Sequence, residues 1–138
     1  MTKIIPENEI SLARLQEIFE AAFVENDIDG DGDLVVRTET NIRIFIGLSS
    51  ANKLIRFTAL YALEETATNE SKVALANALN DAIVFVRFSV SQSAALVCDY
   101  YLPYNGGVNP LHIVTVLRLF NRIILPSLSE HDTSGLVS

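Results

Sequence analysis

Near the start of the chain apolar residues recur at every third or fourth position, as Leu12, Leu15, Ile18, Phe19, Ala22 and Phe23, with Arg14, Glu17 and Glu20 between them. That spacing predicts an amphipathic helix over about residues 8–25. The acidic, glycine-containing stretch DIDGDGDL, residues 27–34, ends it. The period then changes to two. Residues 34–37 form a short strand candidate, and over residues 41–48 Ile42, Ile44, Ile46 and Leu48 point one way while Arg43 and Phe45 point the other. Residues 38–40 turn between these two strands. A third strand, from Leu54 to about Leu63, places Ile55, Phe57, Ala59 and Tyr61 inward and Arg56 and Thr58 outward.

Helical spacing returns with Val73, Leu75, Ala76 and Leu79, behind the N-cap candidates Thr68 and Asn69, and stops near Asn80. Residues 84–90 and 94–102 alternate around a short turn and predict a hairpin. Pro103, Asn105, Gly106 and Gly107 then break the chain, Asn109 offers a cap, and Pro110 suits the first position of a third helix. Around that helix only His112, Thr115, Arg118 and Arg122 form a polar stripe, with Asn121 beside it, so burial on more than one side is expected. Pro126 should end or kink it, leaving residues 127–138 as a flexible tail behind a single domain, 1–126. The order is helix-strand-strand-strand-helix-strand-strand-helix. Its short junctions predict an α+β fold with a five-stranded antiparallel sheet and helices on one face.

Composition changes this picture in two ways. Hydrophobic residues make up 49% of 138 and mean hydropathy is +0.30, a surplus that calls for a large core or an interface. The most apolar run, residues 111–125, is broken by Arg118, Asn121 and Arg122, so no membrane association is expected. The first residues, MTKIIPENEISL, show no secretory signal, and the single Cys98 cannot form an internal disulfide, so a cytoplasmic location follows. A net charge of −7 argues against nucleic acid as a partner.

Candidate chemistry is sparse. Numbered as an EF-hand loop, Asp27, Asp29 and Asp31 fall at positions one, three and five, and Gly32 at six. Position twelve is Thr38 where a bidentate glutamate belongs, and LVVRTETNIRIFIGL reads as strand, turn, strand where a helix should follow. A turn kept soluble by its acids is the expectation, with calcium binding through these three residues as the alternative. His112 reads as an exposed helix residue, Cys98 as a buried structural thiol, and Glu64 with Glu65 as a solvated pair, so no catalytic set is present. There is no P-loop, nucleotide-binding glycine pattern, HExxH or paired CxxC. Carrying the alternation through every strand gathers Arg37, Arg43, Phe45, Arg56, Phe85, Arg87 and Tyr101 on the face opposite the core. A bare sheet face carrying arginines among aromatics suits the docking of a partner segment, and a sheet edge would accept an added strand.

The second half also resembles a known family. Leu79 and Asn80 at a helix end, Arg87 and Phe88 in a strand, the run 99–103, and Gly106 with Gly107 before a capped helix are similar to the YbjN family of bacterial proteins. The first half agrees in the order of its elements. The resemblance implies a fold like that of type III secretion chaperones and a small non-enzymatic protein that binds a segment of another protein. The wider group includes an assembly factor for carboxysome shells. A homodimer through the second or third helix is expected.

Overall fold

The computed structural model describes residues 3–137. A single 3-10 turn at Glu7–Glu9 leads into helix α1, Leu12–Ala21, whose N-cap is Ser11: its hydroxyl accepts the Arg14 backbone N–H at 3.1 Å. Strands β1 (Glu25–Ile28), β2 (Leu34–Arg37), β3 (Arg43–Ser49) and β4 (Leu54–Ala62) follow, then α2 (Asn69–Ala82), β5 (Arg87–Val90), β6 (Ala95–Pro103) and α3 (Pro110–His131). The strands lie in the order β1-β2-β3-β4-β6-β5. The fold is therefore α+β, with an antiparallel sheet of six strands in place of five.

The strand missing from the sequence reading is β1. Glu25, Asn26 and Asp27 have low strand propensity and carry no apolar alternation, so nothing local announces them. Pairing makes the strand: Glu25 lies opposite Arg37, Asn26 opposite Val36, Asp27 opposite Val35 and Ile28 opposite Leu34. The DIDGDGDL stretch is the turn of that hairpin. The Asp29 N–H donates to the Asp33 carbonyl at 2.9 Å, the Gly32 N–H to the Asp29 carbonyl at 3.0 Å, and Gly32 takes φ +84°. This is a type I turn followed by a left-handed residue, the usual three-residue hairpin loop.

Two further hairpins repeat it. Between β2 and β3, Thr38 pairs with Ile42 and Asn41 takes φ +61°; between β5 and β6, Ser91 pairs with Ala95 and Ala94 takes φ +62°. In all three the first residue's side chain accepts the N–H four positions on: Asp29 from Asp33 at 2.9 Å, Thr38 from Ile42 at 3.3 Å, Ser91 from Ala95 at 3.1 Å.

The chain divides into two compact units, residues 1–57 with 101–121, and residues 58–100 with 122–138. In the first, Leu34, Val36, Ile44, Ile46, Ile55 and Phe57 form the buried strand face, as the alternation predicts. Phe57 meets Phe120 of α3 with ring centroids 6.3 Å apart. Val35, on the other face beside its partner Phe45, is buried as well. In the second unit, Leu75, Ala76 and Leu79 of α2 are buried with Phe88, Leu96 and Cys98. Val73 is exposed, because the buried stripe runs through positions 72, 75, 76 and 79, in which Lys72 is only 4% exposed.

Helix α3 passes through Pro126 without stopping. The Ser127 hydroxyl donates to the Ile123 carbonyl at 2.6 Å, an extra bond in the turn where the proline supplies no N–H. Beyond His131 the chain returns: the Glu64 N–H donates to the Leu136 carbonyl at 2.8 Å, Leu63 bridges Val137, and both Asp132 carboxylate oxygens accept N–H groups, of Leu136 and Val137. The tail thus has defined partners where the sequence suggests a loose end. By length and composition α3 could cross a bilayer, but half of its most apolar window is buried inside the fold.

Candidate partner-binding site

The predicted arginine face is present in the first unit, yet it is not simply basic. Arg37 and Arg43 oppose each other across β2 and β3, and β1 sets Glu25 opposite Arg37. Glu25, Asp27 and Asp29 line one cleft of about 180 Å³ with Arg37 and Arg43. The strand that the sequence concealed therefore balances these arginines with acids. The Arg43 guanidinium sits 5.3 Å from the centre of the Phe45 ring, and that of Arg56 lies over Gly47, 2.8 Å from where a Cβ would stand. Tyr101 is exposed.

In the second unit Arg87 is committed within the fold. Its Nε and Nη2 donate to the two carboxylate oxygens of Asp99 at 2.9 and 2.8 Å, and Asp99 is only 4% exposed. Phe85 leaves the predicted face. It lies before β5 begins, where alternation no longer governs direction, and stacks on Tyr100 with centroids 4.2 Å apart. Tyr100 alternates with Asp99 and so projects from the opposite side of β6. The free edge of β5 is occupied too, since the Asn80 carboxamide donates to the Phe88 carbonyl at 2.8 Å and accepts its N–H at 2.9 Å.

The structure shows a different surface that strand alternation could not reveal. A groove of about 680 Å³ runs between α1 and the first turns of α3, floored by Ile18, Ala21, Ala22 and Val114, with Leu111, Phe23, Arg14 and Arg118 around it. Phe23 is 97% exposed and Leu111 58% exposed. Phe23 also occupies an unusual backbone position. The Val24 N–H donates to the Phe19 carbonyl at 2.8 Å and the Phe23 N–H to the Glu20 carbonyl at 3.0 Å, the paired bonds of a Schellman helix end. The residue at this position normally is glycine, because it must be left-handed, and Phe23 holds φ +60°. The signal in the sequence was the absence of glycine directly after the α1 pattern, where the helix has to stop.

The acidic turn brings together Asp29, Asp31 and Asp33, whose carboxylate oxygens lie within 4.8 Å of one another. Asp27, counted with Asp29 and Asp31 from the sequence, is instead in β1, where its Oδ1 accepts the Ile28 N–H. One Asp29 oxygen already accepts two backbone N–H groups, of Asp31 and Asp33. The loop leads into a strand, so the helix that follows an EF-hand loop is replaced by β2.

The nucleophile and base candidates are dispersed. Cys98 is fully buried, and burial, with the nearby Asp99 charge second, pushes its thiol up from 9.0 to about 12. Tyr61 is pushed to about 12 by burial first and by Cys98 second. His112 is exposed on α3, in line with its place on the polar stripe.

Comparison with known proteins agrees with this architecture. The crystal structure of YbjN from E. coli superposes with a TM-score of 0.79 at 16% identity, covering 99% of both chains. The HopA1-SchA chaperone-effector complex contains a chain that matches with a TM-score of 0.53 at 11% identity, over 80% of this chain and 91% of that one. At such identities the likeness is one of fold. No curated protein sequence matches the chain. The model of the YbjN family, described as "Putative bacterial sensory transduction regulator", matches residues 11–127, and the chain belongs to that family.

Proposed function

We propose that this protein is a non-enzymatic, chaperone-like or regulatory protein of the cytoplasm that docks a segment of a partner protein in the groove between α1 and α3. Phe23 carries the reading. A left-handed conformation costs a bulky residue about 1–2 kcal/mol, and an exposed phenyl ring returns nothing to the fold. Both costs make sense if the ring meets a partner. The groove beside it adds Leu111 and an apolar floor, the kind of exposed patch that marks interaction sites.

The sheet face, with Arg37, Arg43, Phe45, Arg56 and Tyr101, is the second surface, less favoured because Glu25 and Asp27 share it. The edge of β5 is disfavoured for strand addition by Asn80. An assembly factor, as for a carboxysome shell, is the finer form of this reading. One solved structure of similar fold is a chaperone bound to its effector, which supports the general role. A homodimer, if formed through α2, would use the exposed Val73. The experiment is affinity capture from the native lysate with wild type and Leu111→Glu. One partner held near stoichiometry by wild type and released by the variant supports the reading; equal retention by both contradicts it.

A further inference from the structure

Resting on that docking reading, we propose that the occupant of the α1–α3 groove is an amphipathic helix of another protein, with apolar anchors on one face and an acidic residue beside them that pairs with Arg118. The walls determine the backbone. Both sides of the groove are helices, whose N–H and C=O groups bond within their own turns except for the last carbonyls of α1, where Ala22 already meets Arg118, and Pro110 at the α3 end has no N–H at all. An extended segment lying there would find few backbone partners and would leave most of its own polar groups without a protein partner. A helix arrives with its backbone already satisfied and needs only side-chain contacts.

Charge determines the flank. The two cations at the groove differ: Arg14 reaches Glu17 of its own helix at 3.4 Å, whereas Arg118 forms no salt bridge among the described residues and touches only the Ala22 carbonyl at 3.5 Å. Arg118 projects from the exposed stripe of α3 beside Ala22 and Phe23, where a carboxylate one turn from an apolar anchor would meet it. A second copy of this chain does not supply such a helix. Both α1 and α3 are already walls, and the remaining helix, α2, exposes one large apolar residue, Val73.

The test is selection from a displayed library of random 16-residue segments against the full chain, with Leu111→Glu, Phe23→Ser and Arg118→Glu as parallel baits whose folding is checked by thermal melting. Wild type should enrich segments with apolar residues at i, i+3 or i+4 and i+7 and an adjacent Asp or Glu, helical when bound. Leu111→Glu and Phe23→Ser should both lose them. On Arg118→Glu the acidic segments should weaken about fivefold or more, and Lys or Arg should replace the acid. Enriched segments that are proline-rich or alternate with period two, or an acid preference that Arg118→Glu leaves unchanged, overturn the helix or its acidic flank while the docking site stands. No enrichment on wild type overturns both.

Discussion

At the scale of single residues, Phe23 and Arg87 differ in what they do for stability. Phe23→Gly places the preferred residue at a left-handed helix end and removes an exposed ring, so it should raise stability by about 1 kcal/mol, read from the denaturation midpoint. Arg87 is a structural cation. Arg87→Ala leaves the buried Asp99 carboxylate unpaired and should cost about 1–3 kcal/mol, whereas Arg43→Ala, at an exposed position, should stay within about 0.5 kcal/mol. Equal losses for the two would show that the bidentate pair contributes nothing. Cys98 and Tyr61 set an alkaline limit. Their folded values near 12 exceed the free values of 9.0 and 10.0, so the fold prefers the protonated forms; stability is intact below about pH 9 and falls as pH rises toward 12. Denaturation at pH 8 and pH 11 should show this fall, with a shallower one in Cys98→Ala; identical slopes would exclude the thiol as a source.

At the scale of elements, legibility followed the strength of periodic burial. The helices, β3, β4 and β6 show in the sequence because each places apolar residues on one face over several repeats, as Ile44 and Ile46 or Ile55 and Phe57 do. Strand β1 does not, because tertiary pairing with β2 overrides the preferences of Glu25 and Asp27. The same omission made the arginine face look more basic than it is. Phe85 departs from the face for a related reason: the alternating segment 84–90 begins three residues before β5 does. The groove was not legible because it forms between helices whose individual patterns say nothing of the space between them. The shared hairpin design gives a further prediction. Asp29→Ser keeps the acceptor that Ser91 provides in its own loop and should change stability by less than about 0.5 kcal/mol, while Gly32→Val, at φ +84°, should cost about 1–2 kcal/mol. If Asp29→Ser unfolds the hairpin, the acid has a role beyond the turn.

At the scale of the whole molecule, the fold is that of YbjN and is shared with a chain of the HopA1-SchA chaperone-effector complex, and on it the exposed Phe23 and Leu111 form an apolar surface in an acidic protein. Its net charge of −7 would slow the approach of a strongly acidic partner, so the proposed docking relies on local contacts rather than on long-range attraction. The most direct measurement is the affinity of a captured partner segment, by titration calorimetry, for wild type, Phe23→Gly and Arg43→Glu. Phe23→Gly, although the more stable protein, should bind at least about tenfold more weakly, a loss of about 1.4 kcal/mol, while Arg43→Glu should bind nearly as wild type does. Full affinity in Phe23→Gly together with a loss in Arg43→Glu would place the partner on the sheet face and rule out docking at the groove.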